Sequence, residues 1–188
     1  LLALVLRYPD HPEFKIWTER GMAILESPAS ADIKSQIIMP LLMHRLLIGN
    51  LTECQYFITR YQEIVESGDI SPLARITLKD LESFYLWLSG NFAQCRDKVA
   101  EALALSSKTG IYVLSPIIIA HGIAEALSRG DLKAANEMFE KQSTYAQSST
   151  CMMRESRNTL LSWMAIMEKD LSKAQFMADS AVSVAEET

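Results

Sequence analysis

One short pattern, repeated four times, limits what this chain can fold into. A glycine followed by Asn or Asp and then Leu or Phe occurs three times, and a fourth copy has lysine in place of glycine. The copies are Gly49-Asn50-Leu51, Gly90-Asn91-Phe92, Gly130-Asp131-Leu132 and Lys169-Asp170-Leu171. Successive copies begin 41, 40 and 39 residues apart, which indicates structural repeats of about 40 residues.

The chemistry of this pattern predicts that one helix stops and another starts within about two residues. Glycine is favoured just past a helix because it adopts positive φ without a Cβ penalty. Asn or Asp then serves as the N-cap of the next helix. A small residue follows three positions after each apolar residue, where it lets two helices pack closely. These small residues are Cys54, Cys95, Ala135 and Ala174.

Long stretches on both sides of each pattern have helical spacing of their apolar residues. The predicted first helices are 31–48, 72–89, 112–129 and 150–168, and the second helices are 51–66, 92–108, 132–147 and 171–186. Pro116 leaves two alternatives for the third first helix: it starts near 112, or it starts at Ser115 with 111–114 as a connector. The predicted fold is all-α, a right-handed superhelical solenoid of antiparallel helix hairpins.

The repeats predict a single domain that covers the whole chain. We expect a half-repeat over 1–29, in which Pro12 opens a helix and Trp17, Met22 and Leu25 face inward. Four repeats follow, at about 30–70, 71–110, 111–149 and 150–188. Because the chain starts at Leu1 and stops within a helical stretch, we expect it to be a segment of a longer protein.

Composition excludes several classes of protein. With 49% hydrophobic residues and seven glycines in 188 residues, the sequence is neither disordered nor collagen-like. A net charge of −5 with no basic block argues against direct nucleic-acid binding. No apolar run reaches 18 residues, so we expect no membrane span. Three widely spaced cysteines suit reduced thiols in a cytoplasmic protein.

The repeat pattern resembles the tetratricopeptide repeat, although its period exceeds the usual 34 residues. The residues that carry this resemblance are Gly90, Asn91, Phe92, Cys95, Val99 and Ala102, together with Gly130, Asp131, Leu132, Ala135 and Phe139. Repeats of this length are similar to those of the MalT-type regulators, which are large ATP-dependent bacterial transcription factors. Stretches such as 86–92, 102–105 and 124–132 look typical of that family. Lys169 departs from it, because glycine is expected there.

The resemblance implies a sensor or interaction region between a nucleotide-binding module and a DNA-binding module. This chain has no Gly-x4-Gly-Lys-Ser/Thr loop and no helix-turn-helix with a basic face. We therefore expect a non-catalytic region that binds a protein, a peptide or a small-molecule effector. The alternative is a generic adaptor that holds a peptide or helix without any transcriptional role.

Candidate binding residues are large side chains on the first helix of each pair, because these helices usually line the concave face of a helical solenoid. They are His44, Tyr85, His121, Arg154, Arg157 and Trp163. His121 and Glu125 share a helix face, but no third ligand is evident, so we predict a polar surface pair rather than a metal site. Cys54 and Cys95 occupy equivalent positions, which favours a packing role. We expect no catalytic residues and no cofactor, and we consider a dimer formed through the ends of the solenoid.

Overall fold

The computed structural model describes residues 5, 11–68, 70–145 and 151–186, except the side chains of 151 and 152. Within these ranges the regular structure is α-helix, with no β-strand. The all-α prediction is confirmed, whereas the handedness and period of a solenoid stay predictions. In chain order the helices are α1 Phe14–Glu26, α2 Ala31–Leu47, α3 Leu51–Ser67, α4 Pro72–Leu88, α5 Phe92–Thr109, α6 Ser115–Ser128, α7 Leu132–Ser143, α8 Cys151–Met167 and α9 Leu171–Glu186.

The chain divides into two compact units, unit 1 from Leu1 to Asn91 and unit 2 from Phe92 to Thr188. In unit 1, α2 packs against α1, α3 and α4, and α3 also packs against α4. The core of unit 1 includes Leu25, Ile38, Leu42 and Tyr61, each almost fully buried. This division into two units does not test the repeat bounds predicted from the sequence, which stay predictions.

Buried polar bonds also join the elements of unit 1. The Tyr61 hydroxyl donates to the carbonyl oxygen of Ala74 over 3.1 Å and so ties α3 to the start of α4. Burial raises the pKa of Tyr61. The Gln62 amide donates to the Glu82 carboxylate over 2.5 Å, and Glu82 is 6% exposed. The buried carboxylate is thus hydrogen-bonded rather than left without a partner.

Unit 2 is arranged around α6. This helix packs against α5, α7 and α8, and α8 in turn packs against α9. Its residues are buried from Ser115 to Leu127 with the single exception of Ile117. A helix that is apolar all round is expected in the interior. A Cβ at Gly122 would lie 2.1 Å from Met138 Cε and 3.3 Å from Val99 Cγ1, so this glycine allows α5 and α7 to approach α6 closely.

The four predicted helix ends share one backbone geometry. Their left-handed residues are Gly49, Gly90, Gly130 and Lys169, with φ of 72°, 76°, 78° and 63°. Each of these residues donates its amide to the carbonyl three residues earlier, and the next amide donates to the carbonyl five residues earlier. Asp131 N, for example, lies 2.9 Å from Ala126 O. These two bonds are those of a Schellman helix end, which satisfies carbonyls that the helix itself leaves unpaired.

The residue after each left-handed position immediately precedes the next helix. The side-chain oxygens of Asn50, Asp131 and Asp170 accept from the amides of Glu53, Ala134 and Lys173 at 3.2, 3.0 and 3.0 Å. The small residues that follow are buried, with Cys54, Cys95 and Ala135 at 0% exposed and Ala174 at 5%. In α2/α3, α6/α7 and α8/α9, the two helices joined in this way pack against each other.

Three details differ from the sequence-based expectations or decide between them. Helix α6 begins at Ser115 with Pro116 in its first turn, so the later of the two proposed starts is right. Helix α7 ends at Ser143, earlier than predicted. The inward orientation of Trp17 is wrong. Its side chain is 41% exposed, its indole donates to the Glu13 carboxylate, and the Arg20 guanidinium lies 4.9 Å from the ring.

Candidate binding surfaces

The predicted groove residues are divided between the two units. His44 and Tyr85 lie in unit 1, and His121, Arg154, Arg157 and Trp163 lie in unit 2. Neither unit by itself therefore holds the whole predicted set. Tyr85 is half-buried and packs against the unit 1 core. Trp163 is half-buried, Arg154 is exposed, and His121 is only 9% exposed.

His44 lies at a junction of α1 and α2. Its ring centroid is 4.3 Å from that of Phe14, and its Nδ1 is 3.0 Å from Arg45 Nη1. Burial and the neighbouring Arg45 charge lower the pKa of His44, and they outweigh the opposite effect of Glu53. Arg45 itself forms an ion pair of 2.5 Å with Glu53. The surroundings of His44 therefore favour its neutral form over its protonated form.

Arg157 is engaged inside unit 2. Its guanidinium donates to Gln142 Oε1 over 2.9 Å and lies 5.5 Å from the centroid of the Phe139 ring. The other end of the Gln142 amide donates to the carbonyl of Pro116 over 3.1 Å. Gln142, which is 7% exposed, thus links the start of α6 to α7 and α8. Gln142 was not predicted from the sequence, although it continues the helical stripe of Ala135 and Phe139, where a polar side chain indicates a buried hydrogen bond.

Glu125 has a different partner from the one expected. It is 2% exposed and accepts two hydrogen bonds from Arg129, at 2.6 and 3.3 Å. The exposed polar pair of His121 and Glu125 is therefore wrong, because both side chains are buried. The hydrogen bond to Glu125 raises the pKa of Arg129. A carboxylate at this depth is stabilised by such two-point pairing with a guanidinium.

The two cysteines with described side chains are buried packing residues. Burial raises the pKa of the Cys54 thiol to about 11. Burial and the nearby Glu125 carboxylate raise the pKa of the Cys95 thiol to about 12. The side chain of Cys151 lies outside the described part of the chain. In that part no group of three or more His, Cys, Asp or Glu residues is placed to hold a metal ion.

Unit 1 has an open cavity of about 470 Å³ where α2 begins and α3 ends. Its polar lining residues include Ser30, Asp32, Lys34, Arg60 and Glu63. Arg60 donates to Glu63 over 2.9 Å and to Glu26 of α1 over 3.3 Å. Two cations and two carboxylates therefore share the wall, so the cavity carries little net charge. We name this space the unit 1 cavity.

The end of α3 lies close to the start of α2 beside the unit 1 cavity. Gly68 follows α3 in an extended conformation. A Cβ on Gly68 would lie 2.8 Å from the Cβ of Ala31, which is closer than side chains tolerate. The absence of a side chain at Gly68 therefore lets the end of α3 approach the start of α2.

Unit 2 has a smaller groove of about 300 Å³ between α8 and α9. The lining residues on α8 are Glu155, Thr159 and Ser162, and those on α9 are Ala178, Ala181, Val182 and Ala185. The hydroxyls are already bonded internally, since Thr159 donates to the carbonyl of Glu155 and Ser162 to that of Ala174. We name this space the unit 2 groove.

Comparisons of the chain with protein-family models, with curated proteins and with solved structures found no match. The resemblance to tetratricopeptide repeats and to MalT-type regulators therefore depends on the residues quoted above. In the described ranges no helix has the length and apolar character that crossing a membrane requires.

Proposed function

We propose that this chain is a non-catalytic interaction region, and more specifically the sensor region of a bacterial transcription regulator similar to the MalT type. The observation that supports it is the fourfold recurrence of one helix end, a left-handed residue followed by an Asn or Asp, at intervals of about 40 residues. Such recurrence is typical of helical repeat proteins, which bind partners over extended surfaces. Under this proposal the protein works in the cytoplasm.

The unit 1 cavity is the place where we expect a small-molecule effector. Its volume of about 470 Å³ lies in the range of small-molecule sites. The mixed lining of Lys34, Arg60, Asp32 and Glu63 favours a polar ligand of low net charge over a strongly anionic one. An effector acts only through a difference in affinity between two conformations of the protein.

A metabolite screen by thermal shift tests the effector role. Arg60→Ala removes a charged side chain from the lining of the unit 1 cavity. The matched control is Arg75→Ala, because Arg75 lies on α4 and does not line the cavity. We expect a polar metabolite to raise the melting temperature of the wild type and of Arg75→Ala but not of Arg60→Ala. A ligand-induced shift that is equal in all three proteins would refute binding in this cavity.

The regulator assignment has its own test. We expect the complete reading frame to encode a phosphate-binding Gly-x4-Gly-Lys-Ser/Thr loop and a DNA-binding module in addition to these repeats. Repeats alone, or repeats joined to an unrelated catalytic module, would refute it.

The second candidate is an adaptor that binds a peptide or a helix without a transcriptional role. The unit 2 groove favours it, because the groove is open and elongated between two helices and its α9 wall consists of small apolar side chains. Grooves of this kind accept the apolar face of a helix.

A further inference from the structure

The unit 2 groove corresponds, one repeat later, to a groove that is already filled in the same unit. Aligning Asp170 with Asp131 places Glu155, Ala178 and Ala181 of the open groove at the positions of Pro116, Phe139 and Gln142. Arg157 of α8 contacts two of those three residues, through the hydrogen bond to Gln142 and the contact with the Phe139 ring, and Gln142 in turn donates to the Pro116 carbonyl. Helix α8 also packs against α6, so it covers the earlier copy of this groove and places Arg157 against α7.

We infer that the unit 2 groove is a docking site for an amphipathic α-helix that presents an arginine to Glu155. This inference deepens the interaction role proposed above and rests on that role, but it does not depend on the regulator assignment. Two features of the groove favour this occupant: it aligns with the α6/α7 surface that α8 covers, and it offers the Glu155 carboxylate.

Charge complementarity selects the arginine. In the filled groove the arginine contacts a neutral amide and an aromatic ring. In the open groove, Ala178 and Ala181 stand at the positions of the ring and the amide, and the Glu155 carboxylate stands at the position of Pro116. In the described part of the chain this carboxylate has no ion-pair partner, so a guanidinium that enters the groove would gain a charge-assisted hydrogen bond.

Val182 adds exposed apolar area to the α9 wall of the unit 2 groove, since it is 58% exposed beside the buried Ala181. The small side chains of Ala178 and Ala185 leave room for the backbone of a helix to approach α9.

The chain offers its own probe for this site. The α8 sequence, residues 151–167 with Cys151→Ser, is synthesised as a fluorescein-labelled, end-capped peptide, because α8 already fills the equivalent groove. Its binding to the full 188-residue chain is followed by fluorescence anisotropy. We expect saturable binding that weakens about tenfold when the peptide carries Arg157→Glu or when the protein carries Glu155→Lys.

Two further comparisons test whether the peptide binds in the unit 2 groove. The charge-swapped pair, protein Glu155→Lys with peptide Arg157→Glu, should regain most of the lost affinity, which a merely unfolded variant could not do. Val182→Arg, inside the groove, should abolish binding, whereas Ser183→Arg, exposed on the adjacent face of α9, should leave it unchanged. Circular dichroism confirms that each variant retains its helices.

Absence of peptide binding would overturn the inference. So would a peptide affinity that neither Glu155→Lys nor Val182→Arg changes. Self-association of the chain that Val182→Arg abolishes would identify a second copy as the occupant and would also overturn it. A reading frame without regulator modules would leave the peptide result standing. Failure of the peptide to bind would equally leave the effector test on the unit 1 cavity intact.

Discussion

Lys169 adopts the same left-handed backbone conformation as Gly130, with φ of 63° against 78°. Both residues donate to the carbonyl three residues before them, and both are followed by an aspartate N-cap. This shared helix end therefore places a lysine in a conformation that disfavours residues with a Cβ.

The first prediction follows from that pair. Lys169→Gly should stabilise the fold by about 1 kcal/mol, because it removes the left-handed strain of a residue with a Cβ. The reciprocal Gly130→Lys should destabilise by a similar amount, since a Cβ at Gly130 meets no atom within 4 Å and only the backbone conformation is penalised. Urea unfolding followed by circular dichroism measures both. A lower free energy of unfolding for Lys169→Gly than for the wild type would contradict the strain attributed to Lys169.

The second prediction concerns the buried carboxylate of Glu125. Arg129→Met should destabilise by about 3 kcal/mol, because it leaves Glu125 buried without its cation. The double variant Glu125→Leu with Arg129→Met should recover most of that loss. Lys98→Met, in an exposed pair with Glu101, should cost less than about 0.5 kcal/mol. A double variant no more stable than Arg129→Met alone would contradict this account.

The third prediction tests the Gln142 link. Gln142→Ala should destabilise by about 2 kcal/mol, since it removes the donor to the Pro116 carbonyl and the acceptor for Arg157. Gln175→Ala, at an exposed position of α9, should have little effect. Chemical unfolding of both variants gives the comparison, and equal stabilities would refute the linking role.

The fourth prediction concerns thiol reactivity. With Cys151→Ser as background, neither Cys54 nor Cys95 should react with a disulfide reagent at pH 8 in the folded protein, and both should react in urea. Both are 0% exposed, and pKa values of about 11 and 12 leave little of either thiol as the reactive thiolate. Rapid labelling of the folded protein would show that these positions open readily.

The fifth prediction concerns pH. Because the pKa of folded His44 is lowered from 6.5, the unfolded chain binds a proton more readily than the folded one. The contribution of His44 to stability should be complete above about pH 6.5 and should be lost as pH falls through the lower, folded pKa. His44→Gln should flatten this part of the stability-against-pH curve. An unchanged slope in that variant would contradict the proposed cause, which is burial beside Arg45.

The helix ends could be predicted from the sequence because their determinants are local. The bonds that close α6 lie within five residues of Gly130, and the cap of α7 lies within three residues of Asp131. The same holds for α8, where Lys169 replaces glycine and the aspartate cap remains. Such signals are contained in a short window of sequence.

The surfaces were harder to predict because burial depends on which helices meet. Trp17 has helical spacing with Leu25, yet only Leu25 reaches the core of unit 1. Arg157 was expected to face a ligand, but Gln142 and Phe139 of the preceding helix receive it. Nothing in the local sequence of α8 identifies those partners.

The helix ends described above also bear on how the chain folds. Each end is closed by hydrogen bonds that span no more than five residues, so a helix can stop and the next can start before distant parts of the chain have met. Contacts between near neighbours in sequence give small proteins fast folding rates, because little loop entropy is lost before the first bonds form. We therefore expect each of α2/α3, α6/α7 and α8/α9 to form as a hairpin early, and to do so already while the chain is being synthesised.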